Sequence, residues 1–180
     1  MSGNATNQDL TPRGCYWRMS LNMTVKLTGG KAASQEDILA LETALNCRLS
    51  DSLRKFLQEY DGAEPDTNIF KVSDTNQCGV NEFIPCAEML KERNYIENIP
   101  PKAFPVAWAE CGNYVFVDEG KKGVVCFWDH ETAEITSLAA SFGDFLDLLQ
   151  PFDISTVKLK PGQVKRVWVD PEFLKSLKKQ

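Results

Sequence analysis

The chain has 180 residues and a mass of 20.2 kDa, enough for one domain with short extensions. Hydrophobic residues make up 43%, which excludes a disordered chain, and no apolar run approaches the roughly 20 residues that span a bilayer. The net charge of −5 is uneven: residues 156–180 carry +5, so the rest carries −10. An acidic body of that kind is a poor nucleic-acid binder and a reasonable surface for a basic protein partner.

Residues 1–30 read as an extension, partly mobile. MSGNATNQDLTPRG has neither a charged start nor an apolar segment, which predicts no secretory signal and a cytoplasmic protein. Met19 and Met23 are alternative starts, and the pair Tyr16-Trp17 favours a docked segment over a free tail. Val25-Lys26-Leu27 predicts a short strand before a Gly29-Gly30 turn. Ser34, followed by Asp37, is an N-cap with an acid three residues later, and Ile38, Leu41 and Leu45 then follow helical spacing over 36–46. Ser50 predicts the cap of a second helix with Leu53, Phe56, Leu57 and Tyr60 on its buried stripe, closed at Asp61-Gly62. The two helices read as a hairpin with a very short link.

Residues 68–72 predict a strand, 73–79 a polar loop, and 87–93 a helix with Met89 and Leu90 apolar. A meander follows: Phe104–Trp108, Tyr114–Asp118 and Val124–Trp128 are rich in the β-branched and aromatic residues that fill a half-buried pleated surface. Residues 134–136 suggest an edge strand. Ser141 predicts the cap of a last helix over 142–149, stopped by Pro151. The basic segment 152–180 reads as a separate unit, with a possible strand at 163–169 and a short helix opening at Asp170-Pro171-Glu172. The order implies an α+β fold, a mainly antiparallel mixed sheet covered by helices.

Catalytic chemistry has little support. The six cysteines at 15, 47, 78, 86, 111 and 126 include no C-x-x-C pair, and His130 is the single histidine, so the expectation is no metal and no disulfide framework. His130 lies between Asp129 and Glu131, but neighbours on an extended chain point to opposite faces. A turn-ordering role is favoured over a general base. Cys111 with His130 as a nucleophile pair is the weaker enzyme reading, since no elbow motif accompanies it. The acids Asp118-Glu119 read as a solvated strand end. No nucleotide-binding glycine motif occurs, and no cofactor is expected.

Four motifs in order carry a resemblance. LSDSLRKFLQEYDGAEP, FPVAWAECGNYVFVD, GVVCFWDHE and SFGDFLDLL resemble the successive signatures of the SUKH superfamily, the Smi/Knr-like proteins, over about residues 36–150. The chain departs from the pattern at Ser50-Asp51 for Leu-Pro, Asp61-Gly62-Ala63 for Asn-Gly-Gly, and Asn113 for an acid. The resemblance implies a SUKH-like domain at 31–151. It also implies a non-enzymatic bacterial immunity protein that binds a cognate polymorphic or contact-dependent toxin, often a nuclease, as a monomer or weak homodimer. A regulatory interaction module of the cell-wall and signalling type is the alternative. Specificity generally resides in loops, and aromatic residues are common anchors. The expected partner-binding residues are therefore Asp61, Glu64, Asp66, Asp74, Glu82, Trp108, Glu110 and Tyr114, with neither membrane nor nucleic acid as partner.

Overall fold

The computed structural model describes residues 25–153, together with Gly162 and Trp168. The aromatic pair at 16–17 and the tail elements expected after residue 162 lie outside the described residues. The chain divides into two units after Gln150, and the elements described form the first.

Among its described residues this unit holds two antiparallel sheets and four α-helices. A two-stranded ribbon pairs β1 (Leu27–Lys31) with β2 (Asp61–Pro65). The larger sheet runs in simple sequence order through β3 (Ile69–Lys71), β4 (Gln77–Phe83), β5 (Ala103–Ala109), β6 (Tyr114–Asp118), β7 (Val124–Trp128) and β8 (Ile135–Ala139). Among the described residues every strand pairing is antiparallel. Apart from the β4–β5 connection, which carries a helix, each link is short, and the α+β expectation holds.

The helices α1 (Gln35–Leu45), α2 (Asp51–Tyr60) and α4 (Phe142–Leu148) lay their apolar stripes on one face of the sheet. Strand alternation decides which residues meet them: Val115, Val117, Val125 and Phe127 face the helices, with Phe83 and Phe104. Phe56 and Phe142 stack edge-on with centroids 4.9 Å apart, and Phe70 meets Phe145 at 5.6 Å. Such aromatic pairs add about 0.5–1.5 kcal/mol each beyond their buried area. A smaller cluster fills the opposite face, where Ile96 packs on Ala103, Phe116, Cys126 and Trp128. The chain reaches that face through α3 (Cys86–Glu92) and the 3-10 turn Arg93–Tyr95.

Several sequence expectations change. The first two helices are not a packed hairpin: α1 lies against α3, while α2 lies against α4 and the β1–β2 ribbon. Both apolar stripes face the sheet, so neither is left to bury the other helix. α2 does end at Asp61-Gly62, with Gly62 in the expected left-handed region at φ +70°, but the same two residues also open a strand. Asp61 is extended at φ −58° and ψ 124°, and the expected acidic loop is strand β2. The expected turn at Gly29-Gly30 is the middle of β1, where a Cβ on Gly30 would stand 2.9 Å from Ala63 Cβ. Only glycine lets the two strands approach so closely at a φ of +72°. Ser50 precedes α2 but its hydroxyl makes no cap bond; its backbone N–H instead donates to Glu119 Oε1 at 2.8 Å. Glu119 is thus tied across the fold and Asp118 is 3% exposed, so neither is a solvated strand end.

Candidate interaction site

One row of side chains crosses five strands at the same height. The register pairs Glu82 with Trp108, Trp108 with Tyr114, Tyr114 with Trp128, and Trp128 with Ile135. Residues paired across strands lie on one face. The row therefore joins an acid, three aromatic rings and an isoleucine on the face opposite α1, α2 and α4. A bulge shifts the β4 register between Val80 and Glu82, which aims Glu82 into the row. Tyr114 and Trp128 stack at a centroid distance of 6.0 Å and an angle of 50°.

A carboxylate from α3 organises the row. Trp108 donates its Nε1–H to Glu92 Oε2 at 2.9 Å, and the Tyr114 hydroxyl donates to the same oxygen at 2.8 Å. Glu92 itself is 8% exposed. Burial and the Glu92 carboxylate push the Tyr114 hydroxyl up to about 12, so it stays a donor at every physiological pH. Trp128 is 5% exposed, and its Nε1–H has no hydrogen-bond partner among the described residues.

The loops at the end of this row are acidic. The β5–β6 connection is a 3-10 turn, Glu110–Gly112, with Cys111 exposed in the left-handed region at φ 58°. Glu110 Oε2 accepts the Gly79 N–H at 3.0 Å, which fixes the turn to β4. Past β7, Asp129 Oδ1 accepts the N–H groups of Thr132 and Glu131, at 3.1 and 2.9 Å. Those bonds hold the Asp129 carboxyl below its ordinary value. Asn113 Oδ1 accepts the His130 N–H at 3.0 Å and lies 3.1 Å from its Nδ1, so the single histidine braces two loops. Together these loops enclose a cleft of about 240 Å³ whose lining, among the described residues, includes Glu110, Asp129 and Glu131 and no Lys or Arg. A broader depression of about 540 Å³ beside the α1–α2 link is lined by Glu42 and Arg54, which bind each other and hold that link. No three His, Cys, Asp or Glu among the described residues form a metal-binding set. None of the described helices is long and apolar enough to cross a membrane.

The sequence-expected residues separate into three groups. Glu82, Trp108, Glu110 and Tyr114 come together at the end of the larger sheet, with Asp74 exposed on the β3–β4 turn that also carries Asn76 to the cleft. Glu64 and Asp66 are exposed on the β1–β2 ribbon, where Asp66 accepts the Lys26 N–H at 3.0 Å. Asp61 leaves the set. It is 7% exposed and accepts the Cys86 N–H at 2.7 Å, so it caps α3 and is turned away from any partner. Burial raises its carboxyl above the ordinary value.

Glu92 was not among the residues expected from the sequence. Its signal was present: Cys86, Met89 and Glu92 recur every three residues, which puts an acid on the buried face of α3. Trp128 is buried in the smaller cluster, and its place in the aromatic row depends on register, which one strand alone does not encode.

A model of the SMI1 / KNR4 family (SUKH-1) matches residues 32–148. No curated protein matches the chain. The match spans well over half of the sequence, from just before α1 to the end of α4, and coincides with the helix-covered α+β meander. The chain belongs to the SMI1 / KNR4 family (SUKH-1).

Proposed function

We propose that this protein is an immunity protein that binds a cognate bacterial toxin and blocks it by direct occlusion, without catalysis of its own. SUKH domains are commonly immunity domains, and that family membership supports the role at a coarse level. The observation that carries the reading further is the acidic end of the sheet. Glu110, Asp129 and Glu131 rim a cleft with no lysine or arginine among its described lining residues, at the end of the sheet that also carries the row of three aromatic side chains. Between residues 25 and 153 there are 22 acids against 11 Lys and Arg.

A nuclease toxin needs a basic channel for phosphates. Carboxylates held on rigid turns occupy such a channel as phosphate substitutes, and aromatic anchors supply the desolvated centre of the contact. The protein acts in the cytoplasm of the producing cell, as a monomer or weak homodimer. Cys111 and His130 take no chemical part. His130 is committed to Asn113, and the buried thiols of Cys78, Cys86 and Cys126 are pushed upward by burial, Cys86 to about 12.

The test is co-expression with the toxin encoded beside this gene. Growth rescue, together with a complex that co-elutes in gel filtration, is the expected result. No rescue and no complex would overturn the reading. Rescue by a chain that never associates with the toxin would instead point to regulation or catalysis.

A further inference from the structure

We infer that Glu92, Trp108 and Tyr114 form a slot for one cationic side chain of the partner, an arginine guanidinium. This deepens the proposed function and rests on it. Three observations meet at the slot.

The first is an uncompensated charge. Glu92 is 8% exposed, yet no Lys or Arg among the described residues lies within ion-pair distance of it. A carboxylate taken out of water without a cation is costly, and two neutral donors recover only part of that cost.

The second is an open acceptor. Both donors converge on Oε2, and Oε1 makes no hydrogen bond among the described residues. Oε1 is thus the edge of the carboxylate with acceptor capacity left.

The third is the surround. Trp108 and Tyr114 are only half-buried, and Tyr95, on the 3-10 turn that follows α3, is 58% exposed. Donation from both rings to Glu92 keeps them in place, so no ordering is needed when the slot fills.

A carboxylate flanked by an indole and a phenol matches a guanidinium better than any other common side chain. The planar cation lies on a ring face while its N–H groups donate to Oε1, and it sheds water more easily than an ammonium. Lysine fits less well because its compact charge is strongly hydrated. The acidic residues near the slot, Glu82 in the row and Glu110 at its end, favour the same sign of ligand.

The full chain, labelled with nitrogen-15, is to be titrated with N-acetyl-arginine amide, N-acetyl-lysine amide and the neutral isostere N-acetyl-citrulline amide, following the Trp108 indole N–H resonance. The expected result is a shift with arginine, a smaller one with lysine and none with citrulline. Glu92→Gln keeps an acceptor for both rings and removes the charge. It should weaken the arginine response by about fivefold or more. If that variant fails to fold, Trp108→Phe, read at the Tyr114 ring resonances, should weaken it as well. An equal response to citrulline, an unchanged response in the variant, or no response to arginine at its solubility limit overturns the slot. Those failures leave toxin rescue standing, whereas a failed rescue with an intact arginine response removes the toxin and keeps the slot.

Discussion

At the scale of single residues, buried carboxylates set the terms, and Asp61 is the cleanest. Its folded-state carboxyl is raised, with burial the leading cause, then lowered in part by the Cys86 N–H it accepts. A raised folded value means that the native state holds the proton more tightly than the unfolded chain does. The associated stability is present below the unfolded value, near 3.8, and is lost as pH rises through the folded value. Asp61→Asn retains the acceptor without the charge. At neutral pH it should therefore be at least as stable as the natural protein, and the gap should close on acidification to about pH 4. Asp61→Ala should instead lose about 1–3 kcal/mol at both pH values, because the amide at the start of α3 is left buried and unpaired. Urea unfolding of the three proteins at the two pH values checks both statements, and equal losses for Asn and Ala would refute them.

At the scale of elements, the β6–β7 turn shows how a loop supports a helix. Gly123 has φ +82°, and a Cβ there would come within 3.2 Å of Ser50 Oγ, the residue preceding α2. The neighbouring Glu119 accepts the Ser50 N–H, so one turn holds the start of α2 in place of the absent hydroxyl cap. Gly123→Ala should cost about 1–3 kcal/mol through backbone strain and the close contact. Glu119→Gln should cost under about 1 kcal/mol because an acceptor remains. Thermal unfolding separates the two. The sequence made the elements themselves legible. Helical spacing in 36–60 and 142–149 and the alternation in Tyr114–Trp128 encode which faces are apolar, and those faces became the core. What stayed hidden is relational. Asp61-Gly62 carries the local chemistry of a helix cap, yet pairing with β1 draws it into a strand. The site was half legible for the same reason. Trp108, Tyr114 and Glu110 stand out by residue type, whereas Glu92 gains its role from an approach between α3 and β5 that no local pattern specifies.

At the scale of the whole molecule, the proposed function places the acidic excess at one end of a stiff sheet. The consequence is kinetic. A negative cleft facing a basic channel raises the encounter rate, and the rate falls as salt screens the field beyond about 8–10 Å. The rim acids allow a test without loss of fold, since Glu110→Gln keeps the acceptor for Gly79 and Asp129→Asn keeps the acceptors for Glu131 and Thr132. Glu131→Gln completes a triple variant three charges less negative. Its association with the cognate toxin at low ionic strength should slow by roughly tenfold or more, with a shallower dependence on salt and little change in dissociation. Trp108→Ala should do the reverse, leaving association nearly unchanged and speeding dissociation, because short-range packing acts after encounter. Surface-bound toxin with the variants in flow, run at several salt concentrations, reads both rates at once. If the triple variant associates as fast as the natural protein and with the same salt slope, the acids serve only solubility and the occlusion mechanism loses its electrostatic half. If Trp108→Ala also leaves dissociation unchanged, the end of the sheet is not the contact surface, and the exposed acids Glu64 and Asp66 on the β1–β2 ribbon become the place to look.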